Sequence, residues 1–185
     1  MKVRECFDLN PTGNTNTFSD YINYIDTSSV SEGYLKGVSY LESDFPSRAQ
    51  RLVIQGDILY SSVRPNGDTL FAKITPCLEN GKTGFVMGLP EGEVFGGSTE
   101  FVVLRSKSLN PYYVYCLARS YYFRQTAILS MNGADGRQRV DEDKLKSTKI
   151  VQPPKSVLEQ FELLDDRKTE NHAGKERCGH KRKAR

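Results

Sequence analysis

The sequence predicts a β-rich α+β domain carrying one or two packed helices, with a further helix and a basic tail after it. Three observations carry that expectation. Short apolar segments separated by glycine, proline and asparagine recur from Tyr21 to Arg105. A longer stretch of helical period follows them, with no alternation of strands and helices of the parallel kind. Beyond Asp166 the apolar pattern stops.

In chain order, residues 10–20 are turn formers and polar residues and read as a loop. Tyr21 to Thr27 alternates as a strand, and Ser28-Ser29 leads into a loop around Gly33 and Gly37. Arg51 to Gln55 is a second apolar segment, and Gly56-Asp57 a turn before the strand Ile58 to Arg64, which ends at Pro65-Asn66-Gly67. Leu70 to Ile74 is a further strand, and Asn80-Gly81 a turn ahead of Thr83 to Met87. Gly96 to Thr99 reads as a break before the buried strand Glu100 to Arg105.

One long helix is expected next. Asn110 suits its cap and Pro111 its first position, while Val114, Leu117, Ala118 and Tyr121 share one apolar face. The tyrosines at 112, 113, 115, 121 and 122 are expected to pack against the sheet. Asp141 caps a short helix from Glu142 to Lys146, and Thr148 to Val151 is extended. Ser156 with Glu159 fits a capping box, which would place Val157, Phe161 and Leu164 on one helix face. Boundaries follow at 1–152 for the domain, 153–168 for the start of a spacer helix, and 169–185 for a basic, disordered tail.

The net charge of +3 arises from that tail. Positions 1–166 hold 18 basic and 21 acidic residues, so the body is mildly acidic and any anion-binding surface must be local. No apolar run approaches membrane-spanning length and the first residues lack a signal-peptide pattern, so a cytoplasmic protein is expected. Cys6, Cys77, Cys116 and Cys178 are scattered without a paired spacing, which argues against a disulfide framework or a zinc knuckle.

Several near-motifs fail on their chemistry. Gly81-Lys82-Thr83 resembles the end of a phosphate-binding loop, but Pro76 stands where the first glycine is required. Asn110-Pro111-Tyr112-Tyr113 lacks the second proline of an amino-methyltransferase signature, and Glu142-Asp143-Lys144 has no Pro-Asp partner of a nuclease site. Both histidines, His172 and His180, lie in the tail, so histidine-base catalysis is excluded for positions 1–166. No metal site and no catalytic residue are assigned.

What remains is a set of polar and basic loops. Arg64 and Asn66 lie on one, Lys73 and Thr75 on a second, Asn80 and Lys82 on a third, Ser98 and Thr99 on a fourth. The fifth carries Asn132, Arg137, Gln138 and Arg139 beside Gly133 and Gly136. Arg and Lys suit phosphates or the acceptor edge of guanine, and Asn and Gln suit adenine, so these are the candidate DNA contacts. Taken singly, each reads better as a solvated loop residue.

As a set the segments resemble the target recognition domain of the DNA-specificity subunit of type I restriction-modification systems. The matching pieces are Tyr24 to Val30, Gly56 to Pro65, Thr75 to Lys82, Ser98 to Arg105, and Met131 to Pro154 with Glu159-Gln160 after it. They cover about residues 20–160 in order. The resemblance implies a non-catalytic subunit that selects the DNA sequence. It also implies that S-adenosylmethionine, ATP and Mg belong to partner modification and restriction subunits, with no cofactor in this chain.

The usual subunit has two recognition domains and two long spacer helices, whereas one domain is present here. The partners expected are therefore double-stranded DNA, modification subunits, a restriction subunit and a second copy of the chain. A half-subunit reading a palindromic bipartite site and a truncated product both fit. The alternative functions are a protein-interaction remnant without DNA recognition of its own, and a methyltransferase or endonuclease fragment.

Overall fold

A computed structural model describes residues 1–12, 20–30, 33–61, 83–133 and 139–161. Helix α1 (Val3–Cys6) runs straight into strand β1 (Phe7–Leu9). Strands β2 (Ile22–Ile25), β3 (Gly33–Tyr34), β4 (Ser39–Leu41), β5 (Ala49–Val53) and β6 (Ile58–Ser61) follow. Then come β7 (Thr83–Phe85), β8 (Phe95–Ser98), β9 (Phe101–Ser106), α2 (Pro111–Arg119), α3 (Tyr121–Ser130), α4 (Glu142–Ser147) and a helix α5 over residues 155–161. Among the described residues no helix is long and apolar enough to cross a membrane.

The expected α+β class holds. One sheet has the order β1-β9-β6-β7-β3 and the other β4-β2-β8-β5. Both are mixed, with β2 parallel to β8 and β3 parallel to β7.

The run Phe101-Val102-Val103-Leu104 explains how the layers stack. Successive strand side chains point to opposite faces, so a continuous apolar run marks a strand covered on both sides. Val102 and Leu104 enter a core shared with Phe7, Ile58, Tyr112, Val114, Phe123 and Leu145, which is the helical side. Phe101 and Val103 enter a second core with Ile25, Val53, Leu59, Val86 and Phe95, which is the side of the other sheet. Strand β6 repeats the division, since Ile58 and Tyr60 face the helices and Leu59 the second sheet. Helices, first sheet and second sheet therefore form three layers.

Four expectations are corrected. Gly96 to Thr99 is not a break, because Phe95–Ser98 is a fully buried strand between β2 and β5. Its glycines serve close approach: a Cβ at Gly96 would strike Ile22 Cδ1, and one at Gly97 would lie 2.7 Å from Val53 Cγ2. The long helix is two helices. Ser120 is extended and its hydroxyl accepts from Phe123 N at 3.2 Å, which starts α3 anew and leaves Tyr121 72% exposed rather than on the buried face. Residues around Gly33 to Leu41 include two short strands where a loop was expected, because they are held by pairing outside their own segment, β3 with the distant β7 and β4 with the preceding β2. Finally, α5 begins before Ser156, with Pro154 O accepting from Val157 N at 3.0 Å and Leu158 N at 3.2 Å.

Other local readings stand. Asn110 Oδ1 accepts from Tyr112 N at 2.9 Å and Pro111 opens α2. Tyr112 meets Phe85 edge-on and Tyr115 stacks on the same ring, as sheet packing requires. Tyr113 and Tyr122 instead point their hydroxyls at the extended segment after α4, donating to Val151 O at 2.9 Å and Lys149 O at 3.0 Å. The expected strand Leu70 to Ile74, the Asn80-Gly81 turn and the basic tail lie outside the described residues.

Two buried polar groups differ in how they are met. Asp57, only 1% exposed, accepts from Arg105 Nε at 2.8 Å, Arg105 Nη2 at 2.7 Å and Ile54 N at 2.9 Å. Tyr60, 2% exposed, has no hydrogen-bond partner for its hydroxyl among the described residues, and burial pushes its pKa up to about 12. Asp57→Ala should destabilise the fold by about 3–5 kcal/mol in urea unfolding, because it strands the Arg105 guanidinium. Tyr60→Phe should be neutral, or stabilising by up to about 1 kcal/mol, because it removes a buried hydroxyl that gains nothing.

Candidate nucleic-acid interface

The surface stretch after α3 is built from both of its ends. Met131 caps α3 and is half-buried against the helical core, which fixes the entry. Val140, 7% exposed, fixes the exit, and Asp141 then caps α4. Between them Asn132 and Arg139 face each other in an antiparallel bridge, each donating its backbone N–H to the other's carbonyl at 2.9 Å. Gly133 sits at φ 125°, a conformation that a residue with a Cβ rarely adopts.

The side chains around that bridge are committed to one another. Asp141 Oδ1 accepts from Asp143 N and Lys144 N, both at 3.0 Å, which is the helix cap. Its other oxygen accepts from Asn132 Nδ2 at 2.7 Å. Asn132 Oδ1 faces Lys144 Nζ at 3.5 Å. The backbone N–H of Lys144, the Asn132 amide and the N–H of Asp143 together hold the Asp141 carboxyl below its ordinary 3.8, although desolvation opposes them.

The next residue extends the frame into the body. Glu142 Oε1 accepts from Asn10 Nδ2 at 2.6 Å and faces Arg51 Nη2 at 3.3 Å. Asn10 exchanges with β9 in turn, through its own N–H to Val103 O and its Oδ1 from Val103 N, both at 2.8 Å. Arg51 lies opposite Gly97 in the second sheet and also donates to Phe101 O at 3.2 Å. The start of α4 is thus tied to both sheets.

Arg139 is the exception. It is exposed, and its guanidinium has no hydrogen bond or ion pair among the described residues. Among the described residues the guanidinium groups of the exposed Arg4 and the half-buried Arg124 likewise make no hydrogen bond or ion pair, whereas Arg48 engages Glu100, Arg51 engages Glu142, Arg105 engages Asp57, and Arg119 donates to Tyr115 Oη.

The other candidate residues are placed differently. Ser98 is 2% exposed and its hydroxyl accepts from Glu100 N at 3.2 Å, while Thr99 is half-buried with its N–H on Arg48 O. Those two form the β8–β9 turn, and Arg51 links its neighbours Gly97 and Phe101 to the α4 end. Phe161 packs edge-on against Tyr113 of its own domain with ring centroids 5.6 Å apart, and Leu158 joins it there, while Val157 is half-buried. Arg64, Asn66, Lys73, Thr75, Asn80, Lys82, Arg137, Gln138 and Leu164 lie outside the described residues. Sequence reading missed Asn10 and Glu142, whose partners lie 132 and 91 positions apart and leave no local signal.

The comparisons with known proteins agree with one another. No family model matches the chain. The specificity subunits of the type I restriction enzymes EcoAI and EcoEI from Escherichia coli are each 36% identical to it over 91 residues, 48% of this chain and 15% of theirs. The HsdS subunit from Thermoanaerobacter tengcongensis superimposes with a TM-score of 0.62 at 21% identity, over 94% of this chain and 43% of that one. The fold is that of part of a type I specificity subunit. A second structure, described as underlying the assembly and conformational transition of the type I R-M system, gives a TM-score of 0.64 at 20% identity, over 94% of this chain and 42% of that one. The resemblance drawn from the motifs to a specificity-subunit recognition domain therefore holds. The chain spans about 15% of the length of the curated relatives.

Protonation of Asp141 should open the frame. A carboxyl held below its unfolded value lends stability above that value and loses it as pH falls through the folded pKa, so the loss begins below the ordinary 3.8. In carboxyl-resolved NMR, Asp141 should titrate below 3.8 while amide protection at Asn132 and Arg139 declines in parallel. Unchanged protection through that titration would show that the carboxylate does not hold the bridge.

Proposed function

We propose that this chain is a DNA-sequence-reading module of a type I restriction-modification complex, without catalysis of its own. The observation that carries the reading is a double agreement: a 36% identical segment shared with two specificity subunits, and a fold matching HsdS over 94% of the chain. The segment covers 48% of the chain and the fold match 94%, and both point to the same kind of subunit.

In this reading the module needs no cofactor. Modification subunits supply the methyl group from S-adenosylmethionine, and a restriction subunit acts with ATP and Mg. Arg139 is the described residue put forward to touch the duplex, because its exposed and unpaired guanidinium stands on the candidate loop, free for a phosphate or a guanine edge. Arg137 and Gln138, together with the other loop positions named from the sequence apart from Asn132, are the further proposed contacts. Thr99 belongs with them, while the buried hydroxyl of Ser98 supports a turn role. Helix α5 is proposed as the start of the spacer, and a second copy of the chain as the source of the other half-site reader.

The test is equilibrium selection from a pool of random-sequence duplexes, with the full chain alone and together with a type I modification subunit. A base motif should be enriched, and affinity should fall steeply as salt rises because phosphate contacts release counterions. Arg139→Ala should weaken binding by roughly 1–3 kcal/mol and flatten the motif at one position if the guanidinium reads a base, or weaken all sequences evenly if it holds a phosphate. A bound pool identical in sequence to the input pool would overturn the reading.

A further inference from the structure

The exposed Asn132 has the side chain expected of an adenine reader, yet its surroundings assign it other work. Reading adenine uses the amide nitrogen and oxygen together. Here the nitrogen donates to Asp141 Oδ2 at 2.7 Å and the oxygen faces Lys144 Nζ at 3.5 Å, so both ends are engaged inside the chain. Asp141 likewise does more than cap. A helix cap needs one oxygen, and Oδ1 alone serves Asp143 N and Lys144 N. Oδ2 is surplus to the cap, and Asn132 takes it. A carboxylate within two positions of a DNA-binding arginine repels phosphate, a cost that a simple cap by serine or asparagine would avoid.

We infer that Asn132 and Asp141 are positioning residues, a side-chain clasp that holds the backbone of Arg139 in register for the duplex while neither touches a base. The inference rests on the DNA-reading function proposed above. The geometry is a closed frame. Arg139 is pinned on one side by its two backbone hydrogen bonds to Asn132 and on the other by the buried Val140. The clasp fixes Asn132 to the start of α4, and Glu142 fixes that start to Asn10 and Arg51 of the body. Without the clasp the bridge rests on two exposed backbone hydrogen bonds, and an arginine held only there would lose orientation before binding.

The chemistry of the pair supplies its own control. Asn132→Asp sets two carboxylates against each other. The reciprocal double substitution, Asn132→Asp with Asp141→Asn, restores an amide–carboxylate hydrogen bond in reverse, leaves Lys144 beside a carboxylate, and keeps the cap because asparagine caps about as well as aspartate. Five forms of the full chain are compared on one random-sequence duplex pool: wild type, Asn132→Asp, Asp141→Asn, the double swap, and Arg139→Ala. Amide exchange at Asn132 and Arg139 is followed in the free protein.

Asn132→Asp should lower affinity about tenfold, flatten the same motif position as Arg139→Ala, and lose amide protection. The double swap should recover affinity, motif and protection to within about threefold of wild type, which a base-reading Asn132 cannot do. A swap that stays as weak as Asn132→Asp, or one that enriches a different base, overturns the inference and leaves the DNA-reading function standing. So does an Asn132→Asp form that binds like wild type. No motif for the wild-type chain overturns the function itself, and the inference falls with it. Recovery of exchange protection without recovery of affinity would make the clasp structural only, and also overturns it.

Discussion

The Asp57–Arg105 pair is the interaction on which the three-layer arrangement depends. Asp57 stands at the turn between β5 of the second sheet and β6 of the first, and Arg105 near the end of β9. The guanidinium binds both carboxylate oxygens and also donates to Leu52 O at 3.1 Å, so one side chain of the first sheet holds the backbone of the second. Beside it, Asp57 O accepts from Val86 N and Gly56 N donates to Val86 O, both at 2.9 Å, which adds the chain leaving β7. Burial pushes the Asp57 carboxyl up, and the Arg105 fork and the Ile54 N–H pull against that. A buried charge is tolerable only when such partners surround it, and the pair joins three segments of the chain, residues 52–57, Val86 and Arg105. The pair therefore specifies how the sheets meet, whereas the apolar cores on either side of β9 supply most of the favourable energy without dictating the angle.

That division also explains what the sequence made legible. Phe101 to Leu104, Ile58 to Tyr60 and the Asn110-Pro111 start of α2 carry their signals within a few residues, because period and capping are local. Gly96-Gly97 carries a local signal that misleads. Glycine pairs mark turns when nothing crowds them, but here Ile22 and Val53 press on the strand, and their approach is visible only once the sheet is assembled. Ser120 hides for a related reason: a serine can sit inside a helix or cap the next one, and apolar spacing does not distinguish the two. Residues 1–9 passed without an element, since β1 is three residues long and its partner β9 lies about a hundred positions on.

The candidate interface divides along the same line. Arg139 and the Asp141 cap are legible in sequence, one as a basic loop residue and the other as an acidic residue before a helical turn. The engagement of Asn132, the burial of Ser98 and the tie from Glu142 to Asn10 are not, because each depends on which side chain faces it across the fold. A polar residue type names what a side chain is able to bind, and only geometry says whether that capacity is already taken.

The exit from the domain follows the same logic and changes the meaning of Pro153-Pro154. Two prolines before a helix suggest a hinge, yet the segment around them is clamped. Lys149 pairs with Lys2 in an antiparallel bridge, Ile150 is buried and donates to Met1 O, and Pro153 is buried in its turn. Tyr122 and Tyr113 bind the carbonyls of Lys149 and Val151, and Tyr113 then receives the Phe161 ring of α5. Helices α2 and α3 thus hold the segment before α5 at Lys149 and Val151, and the N-terminal residues hold it at Lys149 and Ile150. Since α4 lies between Arg139 and that segment and is itself tied to both sheets, the direction of α5 and the placement of Arg139 are set by one connected network of contacts.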